Sequence, residues 1–382
     1  MRILALNCGS SSIKCALIDA TGARPFELHM KDIGKSGAMA AVDALLAELR
    51  ARWTELGELD AVVHRVVHGG ERFTEPAIVD DDVLRQLAEL EPLAPLHNPP
   101  AIRAIRGARE LFARIPHVAV FDTAFHATLP PAAREYALPA EIRTRYGIRR
   151  FGFHGISHGS VAARVGALLQ RDPSELRVIS CHLGNGASVS AIDRGRSVDT
   201  SMGMTPLEGL VMGTRAGDLD PGAMLELARR LPPGELDELL NGQSGLRGLT
   251  GTEDFEAVEH RASRGDADCA LALALYAHRL RKYIGAYAAV LGGVDAIVFT
   301  GGVGEHSALL RQRCIETLGF LGTALHTVRN RDARVDATVA AIDVATDESR
   351  VRIVVLCADE EAAMAAAAAA RLGTVRGVRG HP

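Results

Sequence analysis

Two stretches of this chain repeat one layout, and that repeat limits the available folds more than any other feature. Ile3-Leu4-Ala5-Leu6 reads as a buried strand, and Ile13 to Asp19 reads as a second one. Between them stands Asn7-Cys8-Gly9-Ser10-Ser11-Ser12, a turn of small residues whose N–H groups and hydroxyls can face one concave spot, with Lys14 just behind. Phosphate oxygens are recognised by such donor clusters; an ordinary Ser-rich hairpin is the plainer reading of this stretch alone. It is not a P-loop, because G-x-x-x-x-G-K-[ST] is absent and a strand follows where a helix should. Val178 to Asp193 then repeats the layout. An apolar run leads to the turn His182-Leu183-Gly184-Asn185-Gly186, and a β-rich run ends in Ile192-Asp193 where the first ended in Ile18-Asp19. The copies stand about one domain length apart. Two such hairpins, each opening an α/β domain, predict a duplicated fold with nucleotide in the cleft between the halves. A third turn agrees: the strand Asp295 to Thr300 runs into Gly301-Gly302-Val303-Gly304-Glu305-His306 and then a helix, which lets a nucleotide approach the backbone closely.

Length and charge narrow the function. A chain of 382 residues accommodates two domains with full cores. Its 47% hydrophobic and 24% charged residues are those of an ordinary globular protein, and no apolar stretch is long enough to span a bilayer. Met1-Arg2-Ile3 leads straight into a strand, so no signal peptide is expected. A net charge of −4 argues against nucleic acid or an anionic membrane as partner, so local arginines must hold any anionic substrate. The six cysteines (8, 15, 181, 269, 314, 357) lack metal-type spacing and fit reduced, buried thiols of a cytoplasmic protein.

Along the chain, helical spacing runs from Ser36 to Trp53, and Asp60 to Val67 is a β-rich run that ends at His68-Gly69-Gly70-Glu71. Leu93 to Pro100 is expected to be neither helix nor central strand, because its prolines lack the donors; a helix should follow from Ala101 to about Ala113. Val118 to Phe121 is a strand that delivers Asp122. Helices are expected near 159–170, through 223–241 and through 267–291. The strand Val351 to Cys357 precedes an Ala-rich helix to about Leu372 and a frayed basic tail. Strands alternating with helices in both halves indicate α/β domains.

Several residues carry candidate chemistry. Arg65 ends a buried-looking strand, where a guanidinium needs an anion or a carboxylate; a structural ion pair is the alternative. Arg215, in Gly213-Thr214-Arg215-Ala216-Gly217-Asp218, is similar. Two arginines aimed at one cleft can hold a transferring phosphoryl group. Asp122 sits where α/β folds place catalytic side chains, and a turn or N-cap aspartate is the plainer role. Glu360 and Glu361 follow a strand; they suit a helix N-terminus, or, with Asn7, a hard cation such as Mg²⁺. His64/His68 and His154/His158 have zinc-like spacing. The first pair lies in a strand, spanning some 13 Å, and the second lacks the glutamate of H-E-x-x-H. A histidine donating to a phosphoryl oxygen fits better.

Together these blocks resemble the acetate/propionate kinase family over nearly the whole chain, from Asn7 to Glu361. The most specific are Asn7 to Lys14, His64-Arg65-Val66-Val67-His68-Gly69-Gly70-Glu71, His97-Asn98-Pro99-Pro100, Phe121-Asp122-Thr123-Ala124-Phe125-His126, His182 to Gly186 and Gly213 to Asp218. The resemblance implies two duplicated actin-like (ribonuclease H-like) α/β domains with an interdomain cleft. Residues 1–126 with 360–382 form the first, and 127–359 the second, nucleotide-binding and dimerising one. It implies reversible transfer of the ATP γ-phosphoryl group to acetate, or to propionate as the alternative, giving an acyl phosphate and ADP. It further implies Mg²⁺ (with Mn²⁺ as an alternative), a cytoplasmic homodimer, and no nucleic-acid or membrane partner. By position, Asn7 and Glu360 match the metal residues. Arg65 matches the substrate arginine, Asp122 the catalytic carboxylate, His154 and Arg215 the transition-state stabilisers, and His97 an active-site histidine. Val67, Leu96, Phe153 and Pro206 match a small acyl pocket. Lys14, His182 to Gly186, Asp254-Phe255-Glu256 and Gly302 to His306 match ATP-contacting segments. Glu256 stands where the family more often has arginine, His306 replaces a usual asparagine, and Ala358-Asp359-Glu360-Glu361 replaces Thr-Asn-Glu-Glu. These departures imply an altered nucleotide preference at most. A non-catalytic actin/Hsp70-like ATP module and a sugar kinase are the rivals.

Overall fold

The computed structural model describes residues 1–9, 12–30 and 37–379; Ser10 and Ser11 of the first turn lie outside them. The chain forms two compact units. The first comprises Met1–Ala127, Gly155–Ser157 and the chain from Asp359 onward. Its strands are β1 (Ile3–Cys8), β2 (Ile13–Ile18), β3 (Phe26–Met30), β4 (Ala61–Val66), β5 (Ala77–Ile78) and β6 (His117–Phe121), in the order β3-β2-β1-β4-β6-β5. β1, β4 and β6 run parallel, while β2, β3 and β5 are antiparallel to their neighbours. Every residue of β1 and β6 is buried, because both faces of the sheet are covered. Leu4, Leu6 and Cys8 share one cluster with Leu45 and Leu49 of the helix Ala38–Ala51 and with Ala104 and Ala108 of the helix Asn98–Leu111. Ile3 and Ala5 point the other way, onto Met364, Ala365 and Ala368 of the C-terminal helix Glu360–Arg379. Gly155–Ser157 belongs to this unit, not to the span 127–359: Gly155 N donates to Asp122 O at 2.9 Å, and Ile156 packs on the second cluster.

Two expectations are corrected here. The helix expected from Ala101 starts at Asn98, with prolines in its first turn. The first N–H groups of a helix have no intrahelical acceptor, so proline loses nothing there. The basic tail past Leu372 continues as helix to Arg379.

The second unit comprises Thr128–His154 and His158–Ala358. It is built on β7 (Arg177–Leu183), β8 (Ala187–Asp193), β9 (Arg196–Thr200), β10 (Ala296–Thr300), β11 (Ala341–Asp343) and β12 (Arg352–Leu356). Their order is β11-β12-β10-β7-β8-β9. Read from β9, this sheet repeats the first strand for strand. β7/β8 and β8/β9 are antiparallel, β7/β10 and β10/β12 parallel, and β11/β12 antiparallel. The fold is therefore a duplicated α/β architecture. The helices expected through 223–241 are Pro221–Arg230 and Pro233–Gly242, separated where Leu231 turns extended before Pro232. No helix of the described residues is long and apolar enough to cross a membrane. All six cysteines are free thiols, and five are buried.

His64 is engaged by His117. Its Nε2 lies 2.9 Å from His117 Nδ1, with the rings stacked at 5.2 Å. Among the described residues no group of three or more His, Cys, Asp or Glu can hold a metal. Burial, and then the His117 neighbour, pushes His64 well below the ordinary 6.5; burial pushes His117 and His68 down to about 4. Unfolded imidazoles take up protons from about pH 6.5 downward, whereas these folded ones resist until about pH 4. The unfolded chain therefore binds more protons in that window, and stability present above pH 6.5 is lost as the pH falls toward 4. The thermal midpoint should drop across this range, and a His64→Leu/His117→Leu double variant should show a shallower drop. An unchanged slope would contradict the assignment.

Candidate active site

In the first unit the candidate residues meet at the ends of parallel strands. β1 ends with Asn7-Cys8, β4 carries Arg65 as its penultimate residue, and Asp122 follows β6 directly. Arg65 grips Asp122 with two nitrogens, Nη2 to Oδ2 at 2.6 Å and Nε to Oδ2 at 3.2 Å, and its Nη1 donates to Asn7 Oδ1 at 3.1 Å. Asp122 is 1% exposed. Burial works against the guanidinium charge, but Asp122, Glu360 and Glu361 outweigh it and raise the Arg65 pKa. The Asn7 amide donates to Glu360 Oε2 at 2.9 Å and Glu361 Oε1 at 2.8 Å. Asp359 caps this helix by accepting from Ala362 N, so both glutamates stand at its N-terminus, where the helix dipole favours them.

The turn after β4 is held from two sides. Asn98, fully buried, accepts from His68 N at 3.1 Å and donates to His68 O at 3.0 Å, and Thr123 Oγ1 accepts from Gly69 N at 3.0 Å. His97 precedes Asn98 at the helix start and is half-buried, as is Leu96; Val67 is buried. Lys14 is the exposed residue of β2, paired in register with Asn7.

In the second unit His154 and Arg215 face one spot. His154 caps the helix Gly155–Leu169 with φ +55°, a left-handed conformation that costs a non-glycine residue about 1–3 kcal/mol. Its ring lies 4.4 Å from that of His182 on β7. A methyl carbon placed on Gly186, in the β7–β8 turn, would stand 3.3 Å from His154 Nε2 and 3.9 Å from Arg215 Nη1. Only glycine leaves that space open. Arg215 is half-buried, and its Nη1 meets Pro206 O at 3.3 Å and Met212 Sδ at 3.9 Å. Among the described residues no carboxylate pairs with it, and burial lowers its pKa. An uncompensated cation here is costly unless an anion joins it. Gly186→Ala should lower turnover roughly 100-fold, the cost of a misplacement near 1 Å, with the thermal midpoint unchanged. Near-normal turnover would mean the space is not used.

Around these groups the turns are tied together. Gly213 N donates to Asn185 O at 2.9 Å, and Met212 N to Arg215 O at 3.0 Å. Arg150 links Glu208 and the carbonyls of Thr200 and Met202, while Tyr136 also donates to Glu208. Phe153 is buried and Pro206 half-buried. Glu305 is buried; its Oε1 accepts from Gly301 N at 2.9 Å and Ala358 N at 2.8 Å, joining the turns after β10 and β12. Gly302 borders open space, Val303 and Gly304 follow it in the same short helix, and exposed His306 contacts Gly302 O at 2.8 Å. Leu183 is buried at the end of β7, and Gly184 N donates to Gly186 O. Asp254 caps the helix Phe255–Ser263; Phe255 is buried against Tyr276, which leaves its backbone rather than its ring for a ligand, and Glu256 is exposed. Sequence reasoning assigned no role to Asn98, His158 or Ser188. Asn98 sits in the His97 to Pro100 block, Ser188 in the second hairpin and His158 four residues after His154, and those placements were their signals.

Comparisons with known proteins decide what this arrangement belongs to. The acetokinase family model matches residues 27–366. The chain belongs to the acetokinase family. Acetate kinase of Leifsonia xyli is 48% identical over 384 residues, covering 94% of this chain and 96% of that protein. The solved structure of Porphyromonas gingivalis acetate kinase is 36% identical with a TM-score of 0.85, covering 96% and 98%. A Francisella tularensis propionate kinase has the same TM-score and coverage at 35% identity. Membership accords with the two sheets of one topology.

Proposed function

We propose that this protein is an acetate kinase, transferring the γ-phosphoryl group of ATP to acetate by direct in-line displacement, reversibly. The observation that carries the reading is Arg215: a half-buried guanidinium that no carboxylate pairs with among the described residues, next to His154 Nε2 across an open glycine. The charge of a transferring phosphoryl group spreads over its equatorial oxygens, so catalysis is positioning plus electrostatics. Arg215 and His154 take that charge. Arg65, oriented by Asp122, holds the acetate carboxylate. Acetate is ionised near neutrality, since carboxyls of this kind titrate at about 4–5, so Asp122 need remove no proton. Its role is to fix and balance Arg65. His97 belongs to the same acceptor region.

The acidic group fits Mg²⁺, or Mn²⁺ as the alternative. Hard oxygen donors on one or two carboxylates, completed by phosphates and water, are what such ions take. Glu360 would hold the ion, and Asn7 would orient Glu360, because its own oxygen is engaged by Arg65. When bound, the ion would supply positive charge against the nucleotide phosphates. Lys14, the 182–186 turn, residues 254–256 and residues 302–306 would serve ATP, with exposed Glu256 and His306 altering nucleotide preference. We place the enzyme in the cytoplasm as a homodimer.

Val67, Leu96, Phe153 and Pro206 would receive the acyl methyl. One extra methylene is worth about 1–3 kcal/mol, so kcat/KM should favour acetate over propionate by about 10-fold or more. A propionate preference would reverse the choice of acid. Hydroxylamine trapping of acyl phosphate from ATP and acetate tests the activity itself. Failure to form it would favour a non-catalytic ATP module.

A further inference from the structure

His154 and His158 stand four residues apart, and one hydroxyl joins them. Ser188 Oγ lies 2.9 Å from His154 Nδ1 and 2.8 Å from His158 Nε2, while His158 Nδ1 lies 2.8 Å from Ser180 Oγ. His158, Ser180 and Ser188 are fully buried. The helix brings His158 one turn below His154, β7 supplies Ser180, and β8 supplies Ser188. A fully buried His158 does not itself touch substrate.

A hydroxyl has one proton and two lone pairs, so Ser188 either donates to one imidazole and accepts from the other, or accepts from both, which leaves its own buried proton without an acceptor among the described residues and is costly. A neutral imidazole likewise donates from one nitrogen and accepts at the other. Two arrangements satisfy these rules. In one, Ser180 donates to His158 Nδ1, His158 Nε2–H donates to Ser188, and Ser188 donates to His154 Nδ1. His154 then carries its proton on Nε2, the atom facing Arg215 across Gly186. In the other, every bond reverses and the Ser180 proton needs a further acceptor. Among the described residues Ser180 Oγ has no partner besides His158, and a buried unsatisfied donor is costly. The first arrangement wins.

We propose that His158, acting through Ser188, is a positioning residue that fixes the tautomer of His154 and keeps Nε2–H as the donor to the transferring phosphoryl group. The last clause rests on the acetate kinase reading; the tautomer does not. Nitrogen-15 histidine spectra of the full chain at neutral pH, with His154 assigned through His154→Gln, read it directly. Wild type and Ser188→Thr should show His154 protonated on Nε2, and Ser188→Ala should show mixed tautomers. Turnover in Ser188→Ala should fall on the order of 10- to 100-fold, as for partners that orient a ligating imidazole, with KM little changed. His158→Gln, which retains an amide donor toward Ser188, should keep more activity than His158→Leu. Should the His158 variants fail to fold, Ser188→Ala, which removes one oxygen, still decides. A wild-type proton on Nδ1, or a Ser188→Ala protein in which either readout is unchanged, overturns the proposal. An inactive wild type would instead count against the acetate kinase reading and leave the spectra to judge the relay.

Discussion

Arg65→Ala should lower kcat on the order of 10³-fold, the range lost when a cation that stabilises phosphoryl transfer is removed. It should also destabilise the protein. The change strips the guanidinium from an Asp122 that is 1% exposed, and breaking a buried pair from one side typically costs about 3–5 kcal/mol. Asn7 would lose the donor to its carbonyl oxygen as well. Activity and the denaturation midpoint should therefore fall together. Near-normal turnover with lowered stability would reduce Arg65 to a structural ion pair, the plainer role that the sequence also allowed.

Arg215→Ala should give a similar loss of about 10³-fold in kcat, without the stability loss. Its guanidinium meets a carbonyl and a thioether rather than a carboxylate, so its removal orphans no charge and relieves a desolvated one. A midpoint equal to or above wild type, with turnover nearly abolished, is the expected pair of results. The two arginines are thus distinguishable by stability although their activity losses match. A large stability loss in Arg215→Ala would mean that its place in the loop, rather than its charge, is what matters.

The duplicated fold was legible because β1, β4, β7 and β10 are buried along most of their length and each carries a short apolar run, Ile3 to Leu6, Ala61 to Val63, Val178-Ile179 and Ala296 to Phe299. The two polar turns after β1 and β7 were equally plain. Strand order was not: β5 and β11 are two and three residues long, too short to leave a period in the sequence. The start of the helix at Asn98 was missed because proline was read as a breaker, although the first helical turn tolerates it. Arg65 and Asp122 were both visible as strand-end residues, but their pairing depends on β4 and β6 being neighbours, which one sequence does not reveal. The same applies to Ser188, which reaches His154 and His158 only because a helix lies on the β7–β8 hairpin.

The most direct measurement is a structure of the protein with Mg²⁺, ADP, acetate and a planar aluminium fluoride in place of the transferring phosphoryl group. Arg215 and His154 Nε2 should donate to the equatorial fluorides, with Arg65 on the acetate carboxylate and Glu360 at the metal. A planar group bound with Arg215 and His154 turned away from it would contradict the account.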